Sequence, residues 1–475
     1  MYASALTPTI MILAAPSSGR VHDAGATSRV RTEIFDAIRG IGALQVALGH
    51  WYGNFLQWNR PTGAGTAVTL FITMSGFLMT VGYADKNERP GFALTFWKRR
   101  LARIGPLYWV SLLCFAPLFV LRPYFELDVL APLLGHWSIV VAYVTTATFV
   151  QTWFQYGMHD NAALNVPLWT ICAQAFCYAL FPAMLPHVHR PRSAVRLACA
   201  MLLAWLGYVL LSMAAVAVGY YQVGWLWQTC SSLQPACNYQ RFPTGTDGQM
   251  SPTMPIFYTY AYMHKAPWNK IGLFALGALC GSRAKLATPA ATPKTKAGQL
   301  HEQGPSDWGK VAACNALTAS VLLMQLYEVA YPALLRALSN GRDLSPSSRL
   351  LTFFISPRLM SELLLPPVYA LWLYSLTQAP ESIICRGMRW WPLRRLGDWS
   401  YGIYCLHWPT MEYYCLVAVG ERWLSTQQHV RSEALQGRMC EWDTPVVFTI
   451  ILIVSALGYN FIEVPARSAM QRLLQ

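Results

Sequence analysis

Arg39 and His50 stand eleven residues apart in a stretch, 34 to 56, that otherwise reads as membrane-spanning. At 100° per residue, eleven steps return to within about 20° of the starting face and climb roughly 16 Å, so Arg39, Ala43, Val46 and His50 form one stripe. Ionisable groups at membrane depth must face protein or water, which by default marks a functional site. Asp36 lies one turn before Arg39, where an i,i+3 carboxylate can hold the guanidinium. An imidazole, with an ordinary pKa of about 6.5, suits proton transfer near neutral pH. The competing reading of His50 is a buried ring that only hydrogen-bonds a neighbouring helix. On a straight helix the rise keeps Arg39 and His50 from touching.

A second concentration is Lys98-Arg99-Arg100-Leu101-Ala102-Arg103-Ile104-Gly105-Pro106-Leu107-Tyr108-Trp109. Arg100 and Arg103 are one turn apart and share a face, so their planar forks suit phosphate groups. The alternative is an ordinary basic flank of a span, which is how Lys98 and Arg99 read. Three further blocks carry Trp169, Gln174 and Tyr178; Ser400, Tyr401, Tyr404 and His407; and Glu463, Pro465 and Arg467. His407 and Glu463 are secondary candidates, because polar groups near spans also tie helices together. Ser75 lacks a Gly-x-Ser-x-Gly elbow and reads as a small-residue helix contact. No cysteine or histidine spacing matches zinc, and no metal site is expected.

The elements that position these residues follow from composition. With 54% hydrophobic and only 12% charged residues, the chain is far from the roughly 25% charged residues of a soluble domain. An all-α polytopic membrane protein with about ten transmembrane helices is expected. Its spans fall near 34–56, 65–83, 104–121, 164–186, 195–219, 270–282, 308–335, 360–378, 396–419 and 445–464. The apolar stretch 129–150 is read as re-entrant or interfacial. Left out of the count, it places about two thirds of the 36 Lys and Arg on one side; counted as a span, it would put the basic loop 187–196 on the other. That bias expects both termini in the cytoplasm, with a cytoplasmic tail over 1–30 and a membrane domain over 31–470. The +14 net charge then belongs to loops beside anionic lipid, and nucleic acid is not an expected partner. The apolar run Thr9 to Ala15 has no Lys or Arg before it and is expected to be retained rather than cleaved as a signal peptide. Cys230 and Cys237 fall in a loop, 220–269, placed outside; a disulfide and two free thiols are both open there. The segment 284–308 reads as a flexible cytoplasmic loop.

In series, these blocks resemble the acyltransferase 3 family of integral membrane O-acyltransferases over roughly residues 31 to 470. The resemblance rests on Arg39-x10-His50, Ser75-Gly76-Phe77, Arg100-x-x-Arg103 followed by Ile104-x-Pro106-x-Tyr108, the Trp169 to Pro182 block, Ser400-Tyr401-x-x-Tyr404-x-x-His407-x-Pro409, and Ile462-Glu463-x-Pro465-x-Arg467. It implies ten spans and transfer of an acyl group, commonly acetyl, from cytosolic acyl-coenzyme A to a hydroxyl on a sugar, glycan or lipid. Acyl-CoA is then a cosubstrate, with no permanently bound cofactor, and the partners are the donor, the hydroxyl-bearing acceptor and the bilayer. It makes His50 the expected base, supported by Arg39 and Asp36, and Arg100 and Arg103 the expected donor clamp. Gln174 departs from the pattern, which usually carries glutamate there. An amide exchanges no proton at neutral pH, so the position serves hydrogen bonding, the acceptor differs, or activity is lost. A different class of function, a carrier or channel with a polar intramembrane path, stays open. The paired Gly or Pro interruptions and two-fold repeat common in transporters are not evident in the sequence.

Overall fold

The computed structural model describes residues 32–56, 62–120, 137–153, 165–188, 193–232, 263–287, 305–339, 356–419 and 439–473. Every regular element among them is helical. In chain order those of six residues or more are α1 Glu33–His50, α2 Ala64–Tyr83, α3 Phe92–Val120, α4 Trp137–Ala147, α5 Trp169–Val188, α6 Ala194–Ser232 and α7 Lys270–Ala287. They continue with α8 Pro305–Ser339, α9 Pro366–Gln378, α10 Ile383–Met388, α11 Trp391–Val419, α12 Asp443–Gly458 and α13 Val464–Leu473.

Among the described residues, six stretches are long and apolar enough to cross a bilayer: Ala64–Lys86, Phe92–Leu118, Val166–Val188, Ala194–Ala215, Trp308–Tyr331 and Asp443–Leu473. The other expected spans are helical but do not meet that measure. Of these helices, α1 carries Glu33, Asp36 and Arg39, α7 carries Lys270, Arg283 and Lys285, and α11 carries Arg394, Arg395, Asp398 and Glu412. Helix α9 has 13 residues, about 20 Å of rise. On α6 the apolar face is bare, with Val195 73% and Leu203 70% exposed, as a surface that meets lipid requires. Helix α4 has 11 residues, about 16 Å, half of the ~30 Å hydrocarbon layer. Helix α6 runs on to Ser232, past the expected span end at 219, since no proline interrupts it. The tail 1–30 with its apolar run, Cys237 with any bridge to Cys230, and most of 284–308 lie outside the described residues.

Glycine decides the two most extensive helix contacts, α2 with α7 and α1 with α11. A β-carbon at Gly277 would land on the Thr73 carbonyl, one at Gly281 on the Phe77 carbonyl, and one at Gly76 on the Phe274 carbonyl. These glycines let backbone meet backbone, the small-xxx-small contact that replaces hydrophobic driving force between helices in lipid. Gly277→Val is therefore expected to prevent stable packing of α2 on α7. Overpacking costs typically 1–3 kcal/mol, and here backbone must move. A melting temperature several degrees lower in detergent, or loss of the monodisperse peak in fluorescence-detected size exclusion, is the expected result.

Among the described residues, three single π-helical turns depart from the α register. Leu56 N–H donates to the Trp51 carbonyl at 2.9 Å, and Leu365 N–H to the Met360 carbonyl at 3.1 Å. In the third, Val464 N–H donates to the Tyr459 carbonyl. The first turn begins immediately after His50, the second contains Glu362, and the third ends on Glu463. Such i→i+5 turns are rare and concentrate at functional sites.

Candidate active site

Helices α1 and α11 touch where Gly40 meets Leu396 and Gly397 meets the Asp36 backbone. From that point they climb in step. Ten residues on from each glycine, His50 Nδ1 and His407 Nε2 lie 2.9 Å apart. The two ring planes differ by 4°, with centroids 5.2 Å apart. Since the facing nitrogens are much closer than the ring centres, the rings meet edge to edge in one plane rather than face to face. Trp408 closes on His50 at 83°, and Phe55 closes on Trp408 at 63°. The His407 ring is completely buried, and its Nδ1 donates to the Ile403 carbonyl at 2.8 Å. Pairing across 357 positions is not visible in spacing, although both histidines were candidates.

At the other end of α1, Arg39 pairs with Asp36 through Nη2 and Oδ1. Its Nε has no hydrogen-bond partner among the described residues. Arg39 and Arg103 line two adjoining cavities. The larger, about 410 Å³, is walled by five arginines, Arg39, Arg103, Arg394, Arg395 and Arg467, against two aspartates, Asp36 and Asp398. Arg103 reaches Glu463 at 3.4 Å, and Arg467, one turn beyond Glu463, pairs with the same carboxylate. Glu463 is 1% exposed, so it acts as a buried anchor that aims two cations at one pocket. Within a low-dielectric wall, this excess of positive charge favours an anion.

The inner cavity, about 130 Å³, is lined by Arg39, Arg100 and Arg103, by Ser75, Gln174 and Tyr178, and by Thr170, Ser400, Tyr401 and Tyr404, with no carboxylate among the described residues of its lining. Gln174 Nε2 donates to Ser75 Oγ, which lies 3.3 Å from the Tyr178 hydroxyl. Arg100 faces this cavity and does not line the larger one. Its Nη2 donates to the Tyr83 hydroxyl at 3.0 Å, and its guanidinium lies 5.4 Å from the Tyr83 ring centre and 5.8 Å from that of Phe96. Neither histidine lines this cavity, and His407 stands behind its Tyr404 wall. Tyr404 donates to Thr170 Oγ1 at 2.6 Å and presents its ring to His407 at 6.1 Å between centroids. Tyr401 donates to the Ile104 carbonyl at 2.5 Å, which ties α11 to the arginine-bearing turn of α3.

Of the expected residues, the structure thus brings Asp36, Arg39, Arg103 and Glu463 together around the basic pocket. It places Arg100, Gln174 and Tyr178 on the inner cavity and pairs His50 with His407. Sequence reasoning missed Arg394 and Arg395, which entered only the overall balance of Lys and Arg across the membrane. It also read Ser75 as a packing residue, whereas its hydroxyl is part of the cavity's polar wall. The i,i+4 relation of Glu463 and Arg467 was the available signal for Arg467.

The fold and site define a helical membrane protein with a basic pocket beside a polar cavity and, behind the Tyr404 wall of that cavity, a pair of histidines of which His407 is buried and His50 half-buried. A model of the acyltransferase domain matches residues 33–458. The chain belongs to that acyltransferase family, which makes it a transferase of multi-pass membrane type. It is 29% identical over 156 residues to "Protein 2 in picA locus" of Rhizobium radiobacter, covering 31% of this chain and 79% of that protein. It is 28% identical over 116 residues to "Acyltransferase MdmB" of Streptomyces mycarofaciens, covering 24% of this chain and 27% of that protein. No solved structure matches the chain.

Proposed function

We propose that this protein moves an acyl group, acetyl in the first instance, from cytosolic acyl-CoA to a hydroxyl of a sugar, glycan or lipid acceptor. In this reading the chain crosses the membrane ten times with both termini in the cytosol, which puts the basic pocket at the cytosolic mouth. Acyl-CoA is a cosubstrate and no permanent cofactor takes part. The supporting observation is the shared wall: Arg39 and Arg103 line both cavities, and the inner one ends on Tyr404 beside His407.

The coenzyme's phosphates would lie among Arg39, Arg103, Arg394, Arg395 and Arg467, held by charge-assisted bonds. Its pantetheine arm has about as many chain atoms as four extended residues, roughly 14 Å of reach. That is close to the ~16 Å climb along α1 from Arg39 to His50. His50 then takes the proton of the acceptor hydroxyl as the thioester carbonyl is attacked. Arg39 neutralises donor charge, and Asp36 holds Arg39 in place. Gln174, neutral and bonded to Ser75, adds no negative charge to the wall that carries the three arginines, two of which pair with Asp36 and Glu463 outside it, and this favours the negative charge that develops on the carbonyl oxygen.

The test is transfer of label from radioactive acetyl-CoA in membranes with and without the protein, followed by identification of the labelled product. Protein-dependent label in a base-labile ester is expected. Uptake of donor or acceptor across vesicles with no label transfer would replace this reading with the carrier or channel.

A further inference from the structure

A neutral imidazole holds one ring proton, and the nitrogen without it is the only one that can accept another. The contacts of the histidine pair settle this distribution. His407 Nδ1 is 2.8 Å from the Ile403 carbonyl oxygen. A carbonyl only accepts, so Nδ1 of His407 carries a proton and, in the neutral ring, Nε2 carries the lone pair. That nitrogen faces His50 Nδ1 at 2.9 Å within the common ring plane. Two lone pairs cannot face each other at this distance, so His50 Nδ1 carries the proton, and neutral His50 keeps its lone pair on Nε2.

We propose that His407 is a positioning residue: the directed chain from His50 through His407 to the Ile403 carbonyl fixes the tautomer of His50, making Nε2 its proton-accepting atom. The proposal rests on the reading of His50 as the base. In the reaction, the acceptor's O–H proton moves to His50 Nε2 while its oxygen forms a bond to the thioester carbonyl carbon. The carbon–sulfur bond then breaks, and the departing thiolate takes the proton back from Nε2, leaving an ester and free coenzyme A. The Nδ1 proton stays in place throughout. While His50 is an imidazolium, its bond to His407 Nε2 becomes charge-assisted and so shorter and stronger. Burial of the His407 ring keeps it from turning away.

Two measurements test this on the full chain. Nitrogen-15 NMR of histidine-labelled protein in lipid nanodiscs reports protonation at each ring nitrogen, with His50 and His407 signals assigned by their loss in His50→Gln and His407→Gln. The expected result is protonation at Nδ1 and a bare Nε2 on both rings. A His50 ring protonated at Nε2, or a His407 ring protonated at both nitrogens, overturns the proposal, and wild-type protein alone decides it. The second measurement is label transfer from acetyl-CoA. His407→Gln keeps an oxygen able to accept from His50 Nδ1 and is expected to retain roughly a tenth of the rate or more. His407→Leu cannot accept, and its kcat is expected to fall on the order of 10²-fold with KM for acetyl-CoA unchanged. Equal rates in the two variants, high or low, overturn the positioning role. If wild type transfers no label, the function proposed above fails, while the NMR result still decides the tautomer.

Discussion

Replacing His50 by alanine is expected to lower acyl transfer by on the order of 10²-fold or more while leaving coenzyme A affinity close to that of the native protein. The two effects separate because the ring sits at the far end of α1 from the basic pocket, about 16 Å of helix away, and binds the coenzyme's phosphates through no atom of its own. Removing it also leaves His407 Nε2, paired with His50 in the native protein, facing a gap. A buried acceptor without its donor costs about 1–3 kcal/mol, so a somewhat lower melting temperature is expected alongside the kinetic loss. His50→Gln, closer in size, gives the cleaner comparison. Single-turnover transfer and coenzyme A titration on the same preparation check the result; native turnover in folded His50→Ala protein would remove His50 from the mechanism.

The second large effect is expected at Arg103. Its guanidinium lines both cavities and reaches the Glu463 carboxylate at 3.4 Å. A hydrogen bond to a charged group contributes about 1.5–3 kcal/mol, so Arg103→Ala should weaken coenzyme A binding by about ten-fold or more. Arg103→Lys keeps the charge but not the planar fork and should fall between wild type and alanine. Arg100→Ala should have a smaller effect, because that side chain is already engaged by Tyr83 and lines only the inner cavity. Arg467 still holds Glu463 when Arg103 is lost, so a buried unpaired carboxylate does not confuse the measurement. Titration of purified proteins with coenzyme A decides the matter: equal affinities in wild type and Arg103→Ala would place the phosphates elsewhere.

What could be read without coordinates was whatever repeats along a single helix. The stripe from Arg39 to His50, the Asp36 pair one turn away and the shared face of Arg100 and Arg103 all follow from 3.6-residue periodicity. Which helices meet does not. His50 and His407 come together because glycines at 40 and 397 let two distant helices touch and climb in register, and no local spacing encodes that. For the same reason, Arg39 of the first stripe, Arg103 of the expected clamp, Arg467 of the last block and the uncounted pair Arg394 and Arg395 read as separate features until packing gathered their four chain segments around one pocket. The span count was limited differently. Hydropathy marks helices that face lipid, whereas α1 and α11 carry ionisable groups that the site needs.

The π turns at Trp51–Phe55, Met360–Leu364 and Tyr459–Glu463 make chain length itself a carrier of information. Each holds one residue more than the α-helix would. Deleting one of those residues can close the turn to a plain α-turn with the flanking faces still aligned, whereas the same deletion in the α-helical residues beside it would turn everything beyond by about 100°. Beside the last of the three, a deletion between Val464 and Arg467 would carry Arg467 off the pocket it shares with Arg103. Two relatives with indistinguishable hydropathy profiles can therefore differ in whether their basic pocket exists at all: a one-residue gap at these turns preserves it, and the same gap in the neighbouring α-helix does not.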